Sequence, residues 1–351
     1  MEKRICTIFL FVFLSFTLSF GQKPYRVGTT AANFLEIGYG SAGSAMGDAC
    51  VSSVSDVSAV YWNPAALAFL QKNEAQFVFQ PWIADISTAF VATSVNIANI
   101  GTLGFHLIHA GYGNIEVTNL NAQEGTGEFY SADEYAFGIT YARQLTNWFS
   151  FGATGKFIAS KIWHVSASAL ALDLGVVVQT PFFSTTGQRK DGLRVAMSIA
   201  NYGSRMRYDG LDLVYPIDPL PDENGNYADV PGQYRLSYWE LPLIFRIGAS
   251  LDVVKAEHHT LTLEVDALHP NNNSESVNIG GQYAFKIPTT GVFFLRGGFK
   301  GLFMDESQYG LTLGLGMIKY LMNNISLKVD YAFRDVGILG NVHSYSIGIV
   351  F

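Results

Sequence analysis

Apolar and polar residues alternate along most of this chain, in one segment after another. Tyr135, Phe137, Ile139 and Tyr141 share one face, and Ala136, Gly138 and Thr140 share the other. Leu241, Leu243, Phe245, Ile247 and Ala249 lie opposite Arg246, Gly248 and Ser250. Leu261, Leu263 and Val265 oppose Thr262, Glu264 and Asp266, while Val277, Ile279, Tyr283 and Phe285 oppose Asn278, Gln282 and Lys286. Ile325, Leu327, Val329, Tyr331 and Phe333 oppose Ser326, Lys328, Asp330 and Arg334. A strand points successive side chains to opposite faces, so each segment reads as a two-faced strand.

The predicted strands lie near 74–80, 86–97, 100–112, 133–145, 147–161, 168–180, 192–202, 241–251, 258–268, 274–286, 290–300, 308–320, 323–334 and 342–351. They run to about 9–14 residues, against roughly 5–6 for strands of soluble proteins. An even number of long antiparallel strands is the requirement of a bacterial outer-membrane barrel. Lipid offers no hydrogen bonds to an open edge, so such a sheet closes. The predicted fold is all-β: a transmembrane antiparallel β-barrel of about 14 strands, with an N-terminal plug or hatch segment. With both termini periplasmic, the longest gaps, 113–132 and 203–240, fall on the outer side. The short turns at Thr146, 286–290 and 321–324 fall on the other, and Pro181–Asp191 is long for that side.

Composition sharpens this picture. Only 15% of the residues are charged, against about 25% in an ordinary soluble domain. The net charge of -7 and the lack of a basic patch give no footing for a nucleic-acid partner. Met1-Glu2-Lys3-Arg4 is a basic head, Ile5 to Phe20 an apolar stretch, and Ser19-Phe20-Gly21 a small-residue cleavage region. That is the pattern of a signal peptide, so the expected division is 1–21 signal peptide, 22–73 plug or hatch, and 74–351 barrel. Cleavage leaves Cys50 as the one cysteine, with no disulfide and no zinc cluster.

The polar faces then give a lumen with Lys156, Asp173, Arg194, Arg246, Glu264, Asp266, Lys286, Arg296, Lys328, Asp330 and Arg334. Such charges either pair into a network that holds the wall and fills its interior, or line a permeation path. The run Asp222-Glu223-Asn224-Gly225-Asn226-Tyr227-Ala228-Asp229 is rich in oxygen ligands but lacks EF-hand spacing. His258 and His259 point to opposite faces and cannot share a metal. No catalytic constellation, phosphate loop or zinc spacing is found, so no enzyme activity, metal or cofactor is expected.

The segment before the first strand is the least barrel-like. It runs Phe34-Leu35-Glu36-Ile37-Gly38, Gly43-Ser44-Ala45-Met46-Gly47-Asp48-Ala49, then Asp56 and Ser58-Ala59-Val60-Tyr61-Trp62-Asn63-Pro64-Ala65-Ala66-Leu67-Ala68. With Val329 to Asp335, Leu339 to His343 and the terminal Phe351, it resembles the PorV/PorQ family, within the superfamily of FadL-like barrels. Ala66 stands where many members have glycine. The resemblance implies a type IX secretion-associated outer-membrane barrel. It also implies a hatch carried by Gly43, Met46, Gly47, Asp56, Trp62, Asn63 and Pro64, acting as seal or gate. Gly38, Gly40, Gly43 and Gly47 allow tight turns, and Asp56 to Leu70 can form a short helix interrupted at Pro64.

Two functions follow as expectations. The first is a component or accessory of type IX secretion that binds exported cargo or partner proteins at the surface. The second is a FadL-like transporter of apolar small molecules. The aromatic outer loop, with Tyr227, Tyr234 and Trp239, is the candidate partner-binding surface. Outer-membrane lipid is the expected surrounding in either case.

Overall fold

The computed structural model describes residues 26–184, 186–223, 229–322 and 324–351. Residues 1–21, the expected signal peptide, and Tyr227 therefore lie outside the described residues, as does part of the Asp222–Asp229 run.

Fourteen long strands form one closed antiparallel barrel. They are β1 (Glu74–Pro81), β2 (Ser87–Ile97), β3 (Gly101–Glu116), β4 (Phe129–Thr146), β5 (Phe149–Ile162), β6 (Val165–Gln179) and β7 (Arg194–Gly203). There follow β8 (Ile244–Lys255), β9 (His259–Pro270), β10 (Ser276–Ile287), β11 (Gly291–Leu302), β12 (Leu311–Tyr320), β13 (Ser326–Asp335) and β14 (Asn341–Val350). Each strand pairs with the next, and β1 pairs with β14 through a register that sets Phe77 opposite Ile347. No edge is left, as a sheet in lipid requires.

The alternation decides which side each residue faces. In β4, Tyr135, Phe137, Ile139 and Tyr141 are exposed on the outside, whereas Ala136, Thr140 and Ala142 are buried inside. Leu263 is 48% exposed and Leu315 59%. A belt of such residues around the whole wall would be an intolerable patch in water and is the ordinary outer face of a barrel in lipid. The inner face is small or polar, which leaves room for other chain.

Connections sort by end. Links 117–128 and 204–243 share one end, the outer one, and 98–100, 147–148, 256–258 and 288–290 share the other. The exception, 180–193, is folded down onto its own hairpin: Leu193 N–H donates to the Phe182 carbonyl at 2.9 Å. Its Asp191 takes the Thr186 hydroxyl at 2.6 Å and meets Lys255 at 3.4 Å. Two expected positions are corrected. Leu241 precedes β8 and is buried at 3% exposure instead of facing outward, because the chain has not yet entered the alternating strand. Lys286 is exposed near the end of β10, where the ladder runs out at the short-link rim, and stands apart from the buried charges.

Candidate functional site

The segment before β1 runs against the inner faces of strands all round the barrel. At its start, Ala31 N–H donates to the Glu240 carbonyl at 2.9 Å, beside the foot of the long outer connection. At its finish, Asn73 exchanges backbone hydrogen bonds of 3.0 and 2.9 Å with Phe351 at the opposite end. The first described residues thus sit at the outer end, while β1 starts and β14 ends at the short-link end. The reason is that the segment spans the barrel's length before the first strand starts.

Its local structure is short and bent. A helix over Ala59–Trp62 stops at Asn63, which turns extended (φ -157°, ψ 104°), and a 3₁₀ helix follows over Pro64–Phe69. Pro64 lacks an N–H and sits where a helix start needs none. Asn63 caps that start, its Oδ1 accepting from Ala65 N–H at 3.1 Å. Its Nδ2 donates to the Val51 carbonyl at 3.0 Å and to the Val176 carbonyl of β6 at 3.3 Å. The Asn-Pro pair therefore ties turn, segment and wall together.

Glycines on the inner wall let the backbones approach. A Cβ on Gly152 would sit 2.4 Å from the Pro64 carbonyl carbon, and one on Gly175 2.0 Å from Asn63 Oδ1. On the far side, a Cβ on Gly298 would sit 2.2 Å from the Met46 carbonyl carbon, and one on Gly314 2.4 Å from Ala45 Cβ. In the segment, Gly47 has φ +69° and would carry a Cβ 2.7 Å from Phe299 N, while Gly43 packs on Cys50 and Trp62. Met46 and Trp62 are buried at 4% and 1% exposure.

Four of the charges expected in the lumen, Glu264, Asp266, Lys328 and Arg334, are spent on this contact, together with Lys300. Asp266 accepts from Cys50 N–H at 2.8 Å and Val51 N–H at 3.0 Å. Glu264 accepts from Ser52 N–H at 2.6 Å, its hydroxyl at 2.8 Å and Ser53 N–H at 3.1 Å. Two carboxylates at consecutive inward positions of β9 thus cradle a run of backbone donors, the mirror of an anion nest. Arg334 donates to the Ile37 carbonyl at 2.7 Å and to Asp48 at 2.6 Å, and Lys300 meets Asp48 at 2.6 Å. Lys328 pairs with Asp56 and reaches Glu74 at 3.6 Å. Burial alone would lift the Asp56 carboxyl, but the Lys328 ammonium and the Ser58 N–H and hydroxyl hold it below its ordinary range.

The remaining cations behave differently. Arg296 pairs with Asp330 at 2.6 Å, and Lys156 with Asp173 at 2.8 Å, inside the wall. Arg194 reaches Asp252 at 3.5 Å. Arg246 is buried and forms no ion pair among the described residues.

The outer connection 204–243 carries a hairpin of Val214–Ile217 against Val230–Gln233. Tyr215 and Tyr234 meet edge to face at 5.1 Å, and Arg207 lies 4.8 Å over the Tyr238 ring. Tyr234 and Trp239 are 65% and 42% exposed. Trp239 is pinned by two backbone hydrogen bonds of 2.8 Å to Met206, next to the Glu240 that holds the segment's start. The wall glycines and the Ala31–Glu240 bond were not anticipated from sequence. Inward-phase glycines inside strands are the available signal, since they mark close backbone approach.

Comparison with known proteins agrees with this architecture. The family model "Type IX secretion system protein PorV" matches residues 20–214. Among solved structures, the CymD monoaromatic hydrocarbon channel is 10% identical with a TM-score of 0.57, over 90% of this chain and 97% of that one. The Pseudomonas putida toluene transporter TodX is 12% identical with a TM-score of 0.55, over 89% of this chain and 96% of that one. A Pseudomonas aeruginosa FadL homologue is 12% identical with a TM-score of 0.52, over 89% and 97%. At such identity these likenesses concern the fold. No curated protein matches the chain.

Proposed function

The chain belongs to the PorV family of type IX secretion system proteins, and from that premise we propose that its outer connection is the docking surface for exported cargo or a partner protein. It is an outer-membrane β-barrel and a component or accessory of type IX secretion. Its work on this reading is binding, not catalysis, and the segment 22–73 is a plug. The observation that carries the proposal is the contrast between a segment buried against the inner wall and an outer connection on which Tyr234 and Trp239 are exposed. Aromatics on a braced loop bury much area at low entropic cost, which suits protein recognition.

Replacing Tyr227, Tyr234 and Trp239 by alanine is expected to abolish capture of a secreted partner while membrane insertion stays normal. Interface energy concentrates in such residues, at about 2 kcal/mol or more for a hot spot. The second reading, passage of apolar small molecules, draws on barrels of similar fold whose names are those of hydrocarbon channels and transporters. It expects the same triple variant to lose uptake and keep its protein partners, and that outcome would replace the docking proposal.

A further inference from the structure

Arg246 is the exception among the buried wall cations. Lys156, Arg296, Lys300, Lys328 and Arg334 each meet a carboxylate, at 2.8 Å or closer. Arg246 is 4% exposed, and its Nε and Nη1 are buried without a partner. Its guanidinium lies 5.9 Å from the ring centres of both Tyr61 and Trp62. Such rings attract a cation but leave its charge unbalanced. A buried charge without a counter-ion is costly enough that proteins normally supply one.

The same place holds an opening. A cavity of about 110 Å³ is bounded by Tyr61 and Trp62 of the segment and by Arg246, Asn278 and Lys300 of the wall. Asn273 and Met304, on the outer connections after β9 and β11, line its rim, so it faces the outer end. Two more donors on it, Trp62 Nε1 and Asn278 Nδ2, are buried with no acceptor. The neighbouring carboxylates do not fill the gap. Asp48 is taken by Lys300 and Arg334. Glu36 accepts from Asn272 at 3.0 Å; burial pushes its carboxyl up against the pull of Lys300 and Arg246, and it makes no ion pair with either among the described residues.

We propose that this cavity binds one carboxylate entering from the outer face, with Arg246 as its counter-ion and Trp62 and Asn278 as further donors. One unpaired cation calls for one negative charge. A doubly charged phosphate or sulfate would face the Glu36 and Asp48 carboxyls, and the one further cation on the lining, Lys300, is already held by Asp48. The volume equals a few waters at roughly 30 Å³ each, which admits a carboxylate and a carbon or two. Leu268 and Pro270 supply apolar lining for that carbon. The carboxylate can belong to a free short-chain acid or to the end of a polypeptide. The site stands on its own geometry and does not depend on the docking proposal.

The test is calorimetric titration of the purified full chain in detergent with sodium phosphate as a reference and with three further probes. They are sodium acetate, an N-acetylated Gly-Gly-Ala tripeptide with a free carboxyl terminus, and the same tripeptide amidated. Wild type is expected to bind acetate or the acid tripeptide at one site and to ignore the amide. Tighter acetate binding assigns a free acid, and tighter tripeptide binding assigns a chain end. Arg246→Met is expected to weaken binding by about ten-fold or more, the effect of losing a charged hydrogen bond. Its ligand-free melting temperature should equal or exceed that of wild type, because an unpaired charge is removed. Trp62→Phe keeps the ring, loses the N–H and should weaken binding in the same direction. The proposal is overturned by wild type binding neither acid, by phosphate binding more tightly than acetate, or by acetate binding unchanged in Trp62→Phe. A lower melting temperature or misfolding of ligand-free Arg246→Met would likewise overturn it, by making the arginine structural.

Discussion

The two halves of the wall hold one segment by different physics. On the side of β3 to β6, Val60 and Leu67 approach Gly104, and Pro64 approaches Gly152 and Gly175, with Ile108, Ile158 and Val177 buried around them. Among the described residues no charged side chain of those strands reaches the segment, whose only hydrogen bonds there are the neutral ones of Asn63 to the Val176 carbonyl and of Ser150 to the Ala65 carbonyl. Lys156 and Asp173 pair with each other and with Asn201. On the side of β9 to β13, Glu264, Asp266, Lys300, Lys328 and Arg334 all bond to it. Apolar contact is non-directional and gives affinity with little register. Charge-assisted hydrogen bonds fix atoms against atoms and are costly to leave half-made. The first half therefore provides adhesion and the second provides position.

The largest effect is expected where position is set. Converting Glu264 and Asp266 together to leucine strands the donors of residues 50–53, at about 1.5–3 kcal/mol for each charged bond lost. Urea unfolding of the barrel in lipid should shift by several such units, and an unchanged midpoint would remove β9 from its role. Next comes a pair on one strand. Leu263→Arg should cost about 2–4 kcal/mol by placing charge in lipid. Thr262→Arg points inward, and in an open lumen it would be mild. Here Thr262 is 7% exposed and donates to Asp252 at 2.8 Å, so a comparable loss is expected. A large difference between the two would mean an open interior.

A smaller effect tests the apolar half. Gly152→Ala should cost about 1–3 kcal/mol through collision with Pro64. Gly155→Ala, three residues along β5 with nothing within 4 Å of its Cβ, should be neutral or stabilise by about 0.4–1 kcal/mol. Equal behaviour would deny the close approach. The smallest effect is that of pH. Asp56 is held below its ordinary value, so its contribution is fully present above about 3.9 and is lost as pH falls through the lower, folded value. Glu36 works in reverse: its carboxyl is raised, so its cost at neutral pH is relieved on acidification. Protease protection of the segment should therefore hold from pH 7 down to about 4 and fail only below; loss near pH 6 would contradict the Lys328–Asp56 pairing.

Much of this was legible in the sequence for physical reasons. Alternation in Leu261 to Asp266 is a local property, and it placed Glu264 and Asp266 inward without knowledge of neighbours. The break at Asn63-Pro64 is likewise local, since proline stops a helix wherever it stands. The partners of those inward charges were not legible. That Asp266 meets Cys50 N–H depends on where a segment more than two hundred residues earlier comes to rest. Lys286 has the inward phase but sits past the end of the packed interior, a fact of length and not of period. Arg246 looked like any other lumen charge, because only the packed structure reveals a missing counter-ion.

Single-channel conductance in planar bilayers addresses the filled interior most directly. The intact chain should conduct barely above the bare bilayer, and a variant lacking residues 27–70, with its strand content unchanged by circular dichroism, should open to a large steady conductance. An intact chain that already conducts as an open pore, or a deletion that changes nothing, would contradict the segment's place inside the barrel.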